Sequence, residues 1–367
     1  MARCGQCGRD SHLIARALGF CADCIQRHSN RTRPEIESVH RAVRAQFKLP
    51  QPPLRNPQGL ACRLCLNECQ IAPGRTGACG LHGNYAGHAA GVNARWGQAS
   101  YYFDPLPTNC VADWVCAATG EGYPEFSYSP DQEYGYYNLA VFYHGCTFNC
   151  LFCQNWQSRA LAFNQEHLSS SDLAGAANEH TACICFFGGD PTPQLAHSFR
   201  TAVEARARRR GRILRICWET NGSMHPALLE GMANLALQSG GTIKFDLKAW
   251  NNELHQALCG APNGRTLENF RILARRARER PRLPLLVAGT LLVPGYVDET
   301  EVESLARFIA GLNPDIPYAL LAFHPHFYLS DLPRTSRQHA ERCLEAAKHA
   351  GLTNVRLGNL HLLSEAY

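Results

Sequence analysis

From residue 138 onward the chain alternates between strand-like apolar runs and longer amphipathic stretches. The runs lie at 138–144, 183–188, 213–219, 242–247, 285–293, 318–323 and 354–357. Between them, 193–209, 226–238, 266–278, 299–311 and 335–350 repeat apolar positions at helical spacing. Such alternation predicts parallel strands joined by right-handed helical crossovers. Six or seven units make an α/β open sheet or a partial (β/α)6 barrel, with its ligand site at the C-terminal ends of the strands.

The preceding region reads differently, and three parts are expected: 1–30, 31–137 and 138–367. Residues 1–30 form a compact module bracketed by cysteines. A basic helical stretch follows at 34–47, and Leu49-Pro50-Gln51-Pro52-Pro53 is a stiff linker. Residues 56–137 are rich in Gly, Pro and aromatics and are expected to wrap around bound metal. The aromatic run Tyr123, Phe126, Tyr128, Tyr134, Tyr136 and Tyr137 reads either as a twisted hairpin or as the lining of a substrate channel.

Composition changes the picture through one residue type. Eighteen of 367 residues are cysteine. No run of eighteen apolar residues predicts a membrane span, and Met1-Ala2-Arg3-Cys4 lacks the apolar stretch of a secretory signal, so a cytoplasmic protein is expected. In a reducing compartment this cysteine density favours metal ligation over disulfides. The formal charge of +5 is mildly basic and does not by itself indicate nucleic acid. The basic run from Arg206 to Arg212 reads as a solvated helix end, where cations complement the helix dipole.

The first parallel strand runs into Gly145-Cys146-Thr147-Phe148-Asn149-Cys150-Leu151-Phe152-Cys153, a C-x3-C-x2-C spacing. Three thiolates on one loop can hold three irons of a [4Fe–4S] cluster and leave the fourth iron open to a cofactor or substrate. Zinc, the competing ion, prefers four closed ligands. These residues resemble the radical SAM superfamily, in its AmmeMemoRadiSam-type and pyruvate formate-lyase activating enzyme-like branch. The resemblance covers most of 138–360. It implies that the open iron of the cluster on Cys146, Cys150 and Cys153 chelates S-adenosylmethionine (SAM).

Further motifs carry the resemblance in order along the chain. Gly188-Gly189-Asp190 looks like the family's glycine-rich GGE motif, with Asp where Glu is commoner. Glu219-Thr220-Asn221 looks like its ribose and carboxylate contact region. Asp246-Leu247-Lys248 is similar to the D-x-K of the activating enzymes, and Asn155 matches an asparagine that contacts SAM there. Val293-Pro294-Gly295 and His324 close the fifth and sixth strands. By this resemblance Asn155, Gly188, Gly189, Asp190, Glu219, Asn221, Asp246, Lys248 and His324 bind SAM. The implied enzyme cleaves SAM reductively and abstracts hydrogen from an unidentified substrate (a small molecule, peptide or protein), fed by an electron donor such as flavodoxin or ferredoxin. Activating enzymes carry an Arg where this chain has Gly289, which argues against a glycyl-radical activator. Three segments, Cys62-Arg63-Leu64-Cys65, Gly77-Ala78-Cys79-Gly80 and Val355-Arg356-Leu357-Gly358-Asn359, look more like the AmmeMemoRadiSam-type branch. No cobalamin-binding D-x-H-x-x-G motif occurs.

Two further sets of thiols precede the barrel. Cys4-x2-Cys7 and Cys21-x2-Cys24 are paired knuckles, suited to a closed tetrahedral site for zinc or a single iron, zinc being favoured. Cys62-x2-Cys65-x3-Cys69-x9-Cys79 has the uneven spacing of an auxiliary [4Fe–4S] cluster, with His82 as an alternative ligand. Cys110 and Cys116 remain open between a metal site, a hydrogen donor and simple packing. A non-enzymatic electron-transfer protein or a zinc-ribbon nucleic-acid-binding protein is the contrasting class, and neither needs the motifs on the barrel.

Overall fold

The computed structural model describes residues 1–108, 110–160 and 167–367. Its centre is an eight-stranded sheet: β1 (Ala99–Pro105), β2 (Tyr137–Tyr143), β3 (Thr181–Gly188), β4 (Arg215–Thr220), β5 (Ile243–Asp246), β6 (Leu286–Leu292), β7 (Tyr318–Ala322) and β8 (Val355–Gly358). Spatial order follows chain order, and every neighbouring pair is parallel except β1 with β2. Each crossover therefore moves one strand along in the same sense, which right-handed β–α–β connections require. The sheet stays open, with β1 and β8 as its edges, so the expected partial α/β barrel is the fold.

Nine helices are assigned among the described residues: α1 (Ala22–Arg27), α2 (Ser29–Gln46), α3 (Ser170–Ala176), α4 (Leu195–Arg208), α5 (Pro226–Ser239), α6 (Asn252–Cys259), α7 (Gly264–Arg276), α8 (Glu299–Ala310) and α9 (Arg337–His349). Their ends follow local chemistry. Asn251, Asp298 and Ser336 each accept a backbone N–H in the first turn of α6, α8 and α9. Gly240 and Gly260, both left-handed, terminate α5 and α6. None of these helices is long and apolar enough to cross a membrane. Strand residues such as Val141, Ile184, Phe186, Trp218, Phe245, Val287 and Leu320 are fully buried, because helices cover the sheet.

Two features depart from the sequence expectation. The sheet begins well before 138, at β1, whose Tyr101, Tyr102 and Phe103 are exposed. The aromatic run at 123–137 forms no hairpin. Tyr128 and Tyr136 stack at 4.5 Å, and the turn between them closes on Glu133, which accepts from the Tyr128 N–H at 2.8 Å. The same Glu133 carboxylate meets the Arg215 guanidinium of β4 through two hydrogen bonds, one of 2.9 Å, with both side chains buried.

The N-terminal module has no separate core. Ile14, Leu18, Phe20 and Ile25 belong to the same apolar cluster as the barrel. Tyr296, just past β6, accepts from the Ala15 N–H at 2.9 Å and donates to the Phe20 carbonyl at 3.0 Å. Gly295 has φ +75°, and a Cβ there would lie 2.2 Å from the Leu13 carbonyl, so the close approach needs glycine. The Val-Pro-Gly segment thus holds the module against the barrel.

Glu133→Ala leaves the Arg215 guanidinium buried without its carboxylate. Losing one partner of a buried pair costs about 3–5 kcal/mol. A denaturant melt is expected to show that loss, and an unchanged midpoint would remove the pair from the stabilising contacts.

Candidate active site

The cysteine loop after β2 is shaped by its neighbours on all sides. Gly145 turns at φ +77°. Its carbonyl accepts from the Asp190 N–H at 3.0 Å, and the Tyr143 carbonyl accepts from the Gly189 N–H at 2.9 Å. A Cβ on Gly189 would sit 2.2 Å from the Gly145 carbonyl, and one on Gly188 would sit 2.4 Å from the Tyr143 carbonyl. Both glycines are therefore required by the meeting of two loops, independently of any ligand. Opposite, the end of α6 receives the loop: Asn149 N–H donates to the Cys259 carbonyl at 2.8 Å, and Leu151 N–H to the Leu258 carbonyl at 2.9 Å. Orphan carbonyls of a helix end and loop amides satisfy each other.

Asn149 is held further by Arg159, whose Nη1 donates to Asn149 Oδ1 at 2.9 Å and whose Nη2 donates to the Cys150 carbonyl at 2.8 Å. Asn149 Nδ2 donates to Nδ1 of His40, a buried residue of α2. Burial brings His40 down to about 4, so the ring is neutral.

Cys146, Cys150 and Cys153 line one cavity of about 190 Å³, together with Asn155, Gly188, Gly189, Asp190, Glu219, Asn221, Asp246 and Lys248. All the expected site residues on the barrel meet there except His324. Its Nδ1 lies 3.1 Å from both the Pro325 carbonyl and His326 Nδ1, because β7 ends at Ala322 and the chain turns away after it. The Phe323 N–H is anchored on Thr335 Oγ1 at 2.7 Å, so His324 follows the turn rather than the strand.

Asp190 differs from the role expected of it. Its Oδ1 accepts from Thr220 Oγ1 at 2.7 Å and from the Asn221 N–H at 3.1 Å. Its Oδ2 accepts from Thr147 Oγ1 at 3.3 Å and from the Thr192 N–H at 3.2 Å. Two oxygens offer about four acceptor positions, and all are taken. Burial raises its pKa while these donors oppose the rise. Asp190 ties the cysteine loop to the ends of β3 and β4 and does not offer a free carboxylate to an amino group.

The pair Asp246 and Lys248 does present charge to the cavity. Lys248 Nζ donates to Asp246 Oδ2 at 2.7 Å and stands 5.9 Å above the Phe152 ring. Asn155 Nδ2 donates to the Gly188 carbonyl at 3.5 Å, and Asn221 Nδ2 to Thr147 Oγ1 at 2.8 Å. Cys259 is a participant that spacing did not reveal. It stands beside Cys150, and with Lys248 and Arg159 also nearby it brings Cys150 down to about 7 against the effect of burial. Cys146 and Cys153 are pushed up by burial. Three thiols, a charged pair and amide donors around one cavity fit a [4Fe–4S] cluster carrying SAM.

The other two thiol sets differ in compactness. The sulfurs of Cys4, Cys7, Cys21 and Cys24 all lie within 4.8 Å of one another, the one such group of metal-ligating side chains among the described residues. A bond of about 2.3 Å from zinc to sulfur sets tetrahedral edges of about 3.8 Å, so this set suits a single ion. Burial would raise Cys4, but amide donors from Cys21, Cys7 and Gln6 bring it to about 6. Cys62, Cys65, Cys69 and Cys79 are close enough to perturb one another's charge, yet no three of their sulfurs reach that compactness. Burial drives all four up, Cys79 to about 12. Their loop docks beside the barrel cysteines through Leu66 N–H to the Ser223 carbonyl at 2.9 Å and Asn67 Nδ2 to the Thr147 carbonyl at 3.0 Å. His82, the alternative ligand, has its Nε2 at 2.7 Å from the Pro193 carbonyl.

Residues 140–309 match the profile of the radical SAM superfamily. That stretch, a little under half of the chain, is a radical SAM domain, and the curated relatives that the chain resembles include activating enzymes. It is similar to the isethionate sulfite-lyase activating enzyme of Desulfovibrio desulfuricans, 41% identical over 140 residues, or 37% of this chain and 40% of that protein. It is also similar to the pyruvate formate-lyase 1-activating enzyme of Escherichia coli, 24% identical over 193 residues, covering 50% of this chain and 73% of the relative. Among solved structures, Streptococcus suis SuiB aligns with a TM-score of 0.45 at 14% identity, covering 61% of this chain and 48% of that one.

Two acids of this site are expected to behave differently on substitution. Asp190→Ala strands four donors where three loops meet, and reconstituted protein should lose both thermal stability and iron. Asp246→Asn should keep its iron and bind SAM more weakly in equilibrium dialysis. The opposite pattern would exchange the roles assigned to these two residues.

Proposed function

We propose that this chain cleaves SAM reductively and abstracts hydrogen from a substrate bound beside it. The observation that carries the reading is the convergence of Cys146, Cys150 and Cys153 on one cavity with Asn155, Asp246 and Lys248. The cluster with SAM supplies a 5′-deoxyadenosyl radical when both are bound. The chain's own residues hold the thiolates apart, orient SAM through Asn155 and the Asp246–Lys248 pair, and enclose the reaction. Cys259, Lys248 and Arg159 favour the thiolate of Cys150, the form that binds iron.

The N-terminal four-thiol group is read as a structural zinc site and the set Cys62, Cys65, Cys69 and Cys79 as an auxiliary [4Fe–4S] cluster. Compactness supports the division, since each thiolate of a cubane binds a different iron and the sulfurs stand farther apart. The auxiliary set adjoins the barrel loop and suits electron relay from a donor such as flavodoxin or ferredoxin.

A second reading, activation of a glycyl-radical enzyme, draws on the names of two relatives. It meets an obstacle at Gly289, where the resemblance calls for Arg. A Cβ there would already lie 3.3 Å from Val111 Cγ1, so the space is filled by the chain itself.

Changing Cys146, Cys150 and Cys153 to Ala should abolish 5′-deoxyadenosine formation. Purified without oxygen, this variant should keep about four irons, the content of one cubane. It should also keep about one zinc, since four thiolates close one tetrahedral site. Continued SAM cleavage would sink the function, and two zincs with no iron would make both N-terminal sites structural.

A further inference from the structure

A second cavity, of about 500 Å³, adjoins the first and shares Asn155, Phe187, Glu219 and Leu321 with it. Among the described residues, Cys110 is the thiol on its wall. The segment carrying Cys110 is pinned at the β8 edge and over an inner strand of the sheet. Asp113 pairs with Arg356 of β8 at 3.0 Å, and Val111 packs over Gly289 of β6. Behind Cys110 lies a small inner chamber lined also by Cys116, Cys183, Cys185 and Cys217. Into it reaches Lys244, with 3% of its side chain exposed. Lys244 Nζ donates to Cys110 Sγ at 3.0 Å and to Cys185 Sγ at 3.1 Å, with Glu219 Oε2 at 3.7 Å.

Packing alone does not account for this arrangement. An ammonium buried at the base of a cavity is costly unless it is partnered, and here it is partnered mainly by sulfur. A cationic lysine also makes the chamber a poor home for a metal ion. The ammonium beside both sulfurs favours their thiolate forms, and burial opposes it. Burial raises the Cys110 pKa against the pull of Lys244, which keeps that thiol protonated. An S–H bond is weaker than an aliphatic C–H bond, so a thiol gives a hydrogen atom to a carbon radical. Carboxylates, ammonium groups and hydroxyls do not.

We propose that Cys110 is a catalytic hydrogen-atom donor to carbon radicals formed in the joined cavities, with Lys244 and Cys185 as positioning residues. The inference rests on the SAM-cleavage reading above. In the step, the Cys110 S–H bond breaks as a C–H bond forms, leaving a sulfur-centred radical. One electron from the one-electron reductant that feeds the cluster, with a proton from the Lys244 ammonium, restores the thiol. Water entering the cavity reprotonates Lys244.

The test needs no substrate. Reconstituted holoenzyme is mixed with SAM and dithionite in D2O without oxygen, where Cys110 carries S–D. The fraction of 5′-deoxyadenosine bearing one deuterium is then read by mass spectrometry. Wild-type protein should give singly deuterated product. Cys110→Ser keeps the size and the Lys244 contact but offers only a strong O–D bond, and Cys110→Ala offers none. Both should lose the deuterium fraction while keeping wild-type iron content, and Cys110→Ser, which still accepts from Lys244, should also keep the melting temperature. Equal deuterium in wild type and variants would overturn the thiol assignment alone. No 5′-deoxyadenosine from the variants would also overturn it, since Cys110 would then serve SAM cleavage itself. No 5′-deoxyadenosine from wild type would instead overturn the underlying reading, and this proposal with it.

Discussion

The ends of three neighbouring strands meet on the carboxylate of Asp190. Its four donors come from the cysteine loop after β2, from the turn after β3 and from the end of β4. A carboxylate this deep loses hydration, and only a full set of donors offsets that cost. The geometry of the cysteine loop follows from this constraint. Thr147, one of the donors, lies between Cys146 and Cys150 and also contacts Ser223 and Asn221. On its other side the loop rests on the last carbonyls of α6 and on the chain from His40 through Asn149 to Arg159. Three thiols can face an open cavity because everything behind them is held by hydrogen bonds.

The region before β2 completes this support. α2 contributes His40, and Arg44 from the same helix donates to the Pro50 and Ala78 carbonyls beside the second thiol set. The knuckle module sits on Gly295 and Tyr296, so the segment after β6 positions a neighbouring module in addition to bordering the strand ends. Poor apolar content in 56–137 is balanced by thiols that can bind metal and by docking onto the loop at 223–225. The segment from 110 to 114 reaches Arg356 at the β8 edge and lines a cavity that adjoins that of the barrel cysteines.

The sequence by itself determined what depends on neighbours a few residues apart. Periodicity marked the seven parallel strands and the major helices, because burial on a sheet face or a helix stripe repeats locally. Spacing marked the three thiol groups, because ligands of one metal site often share a loop. Motifs at strand ends were legible since parallel topology sends all of them to the same side of the sheet. The tertiary structure decided everything that depends on distant partners. Asp190 is consumed by donors from 43 residues before it to 31 after it, so a motif that reads as a ligand contact is a tie between loops. His324 leaves the cavity because Thr335 fixes the turn that carries it. Cys259 enters beside Cys150, and Cys110 meets Lys244, across 109 and 134 residues of chain. No local pattern encodes such pairs, because each is created by the register of strands and the packing of helices rather than by the residues adjacent to it.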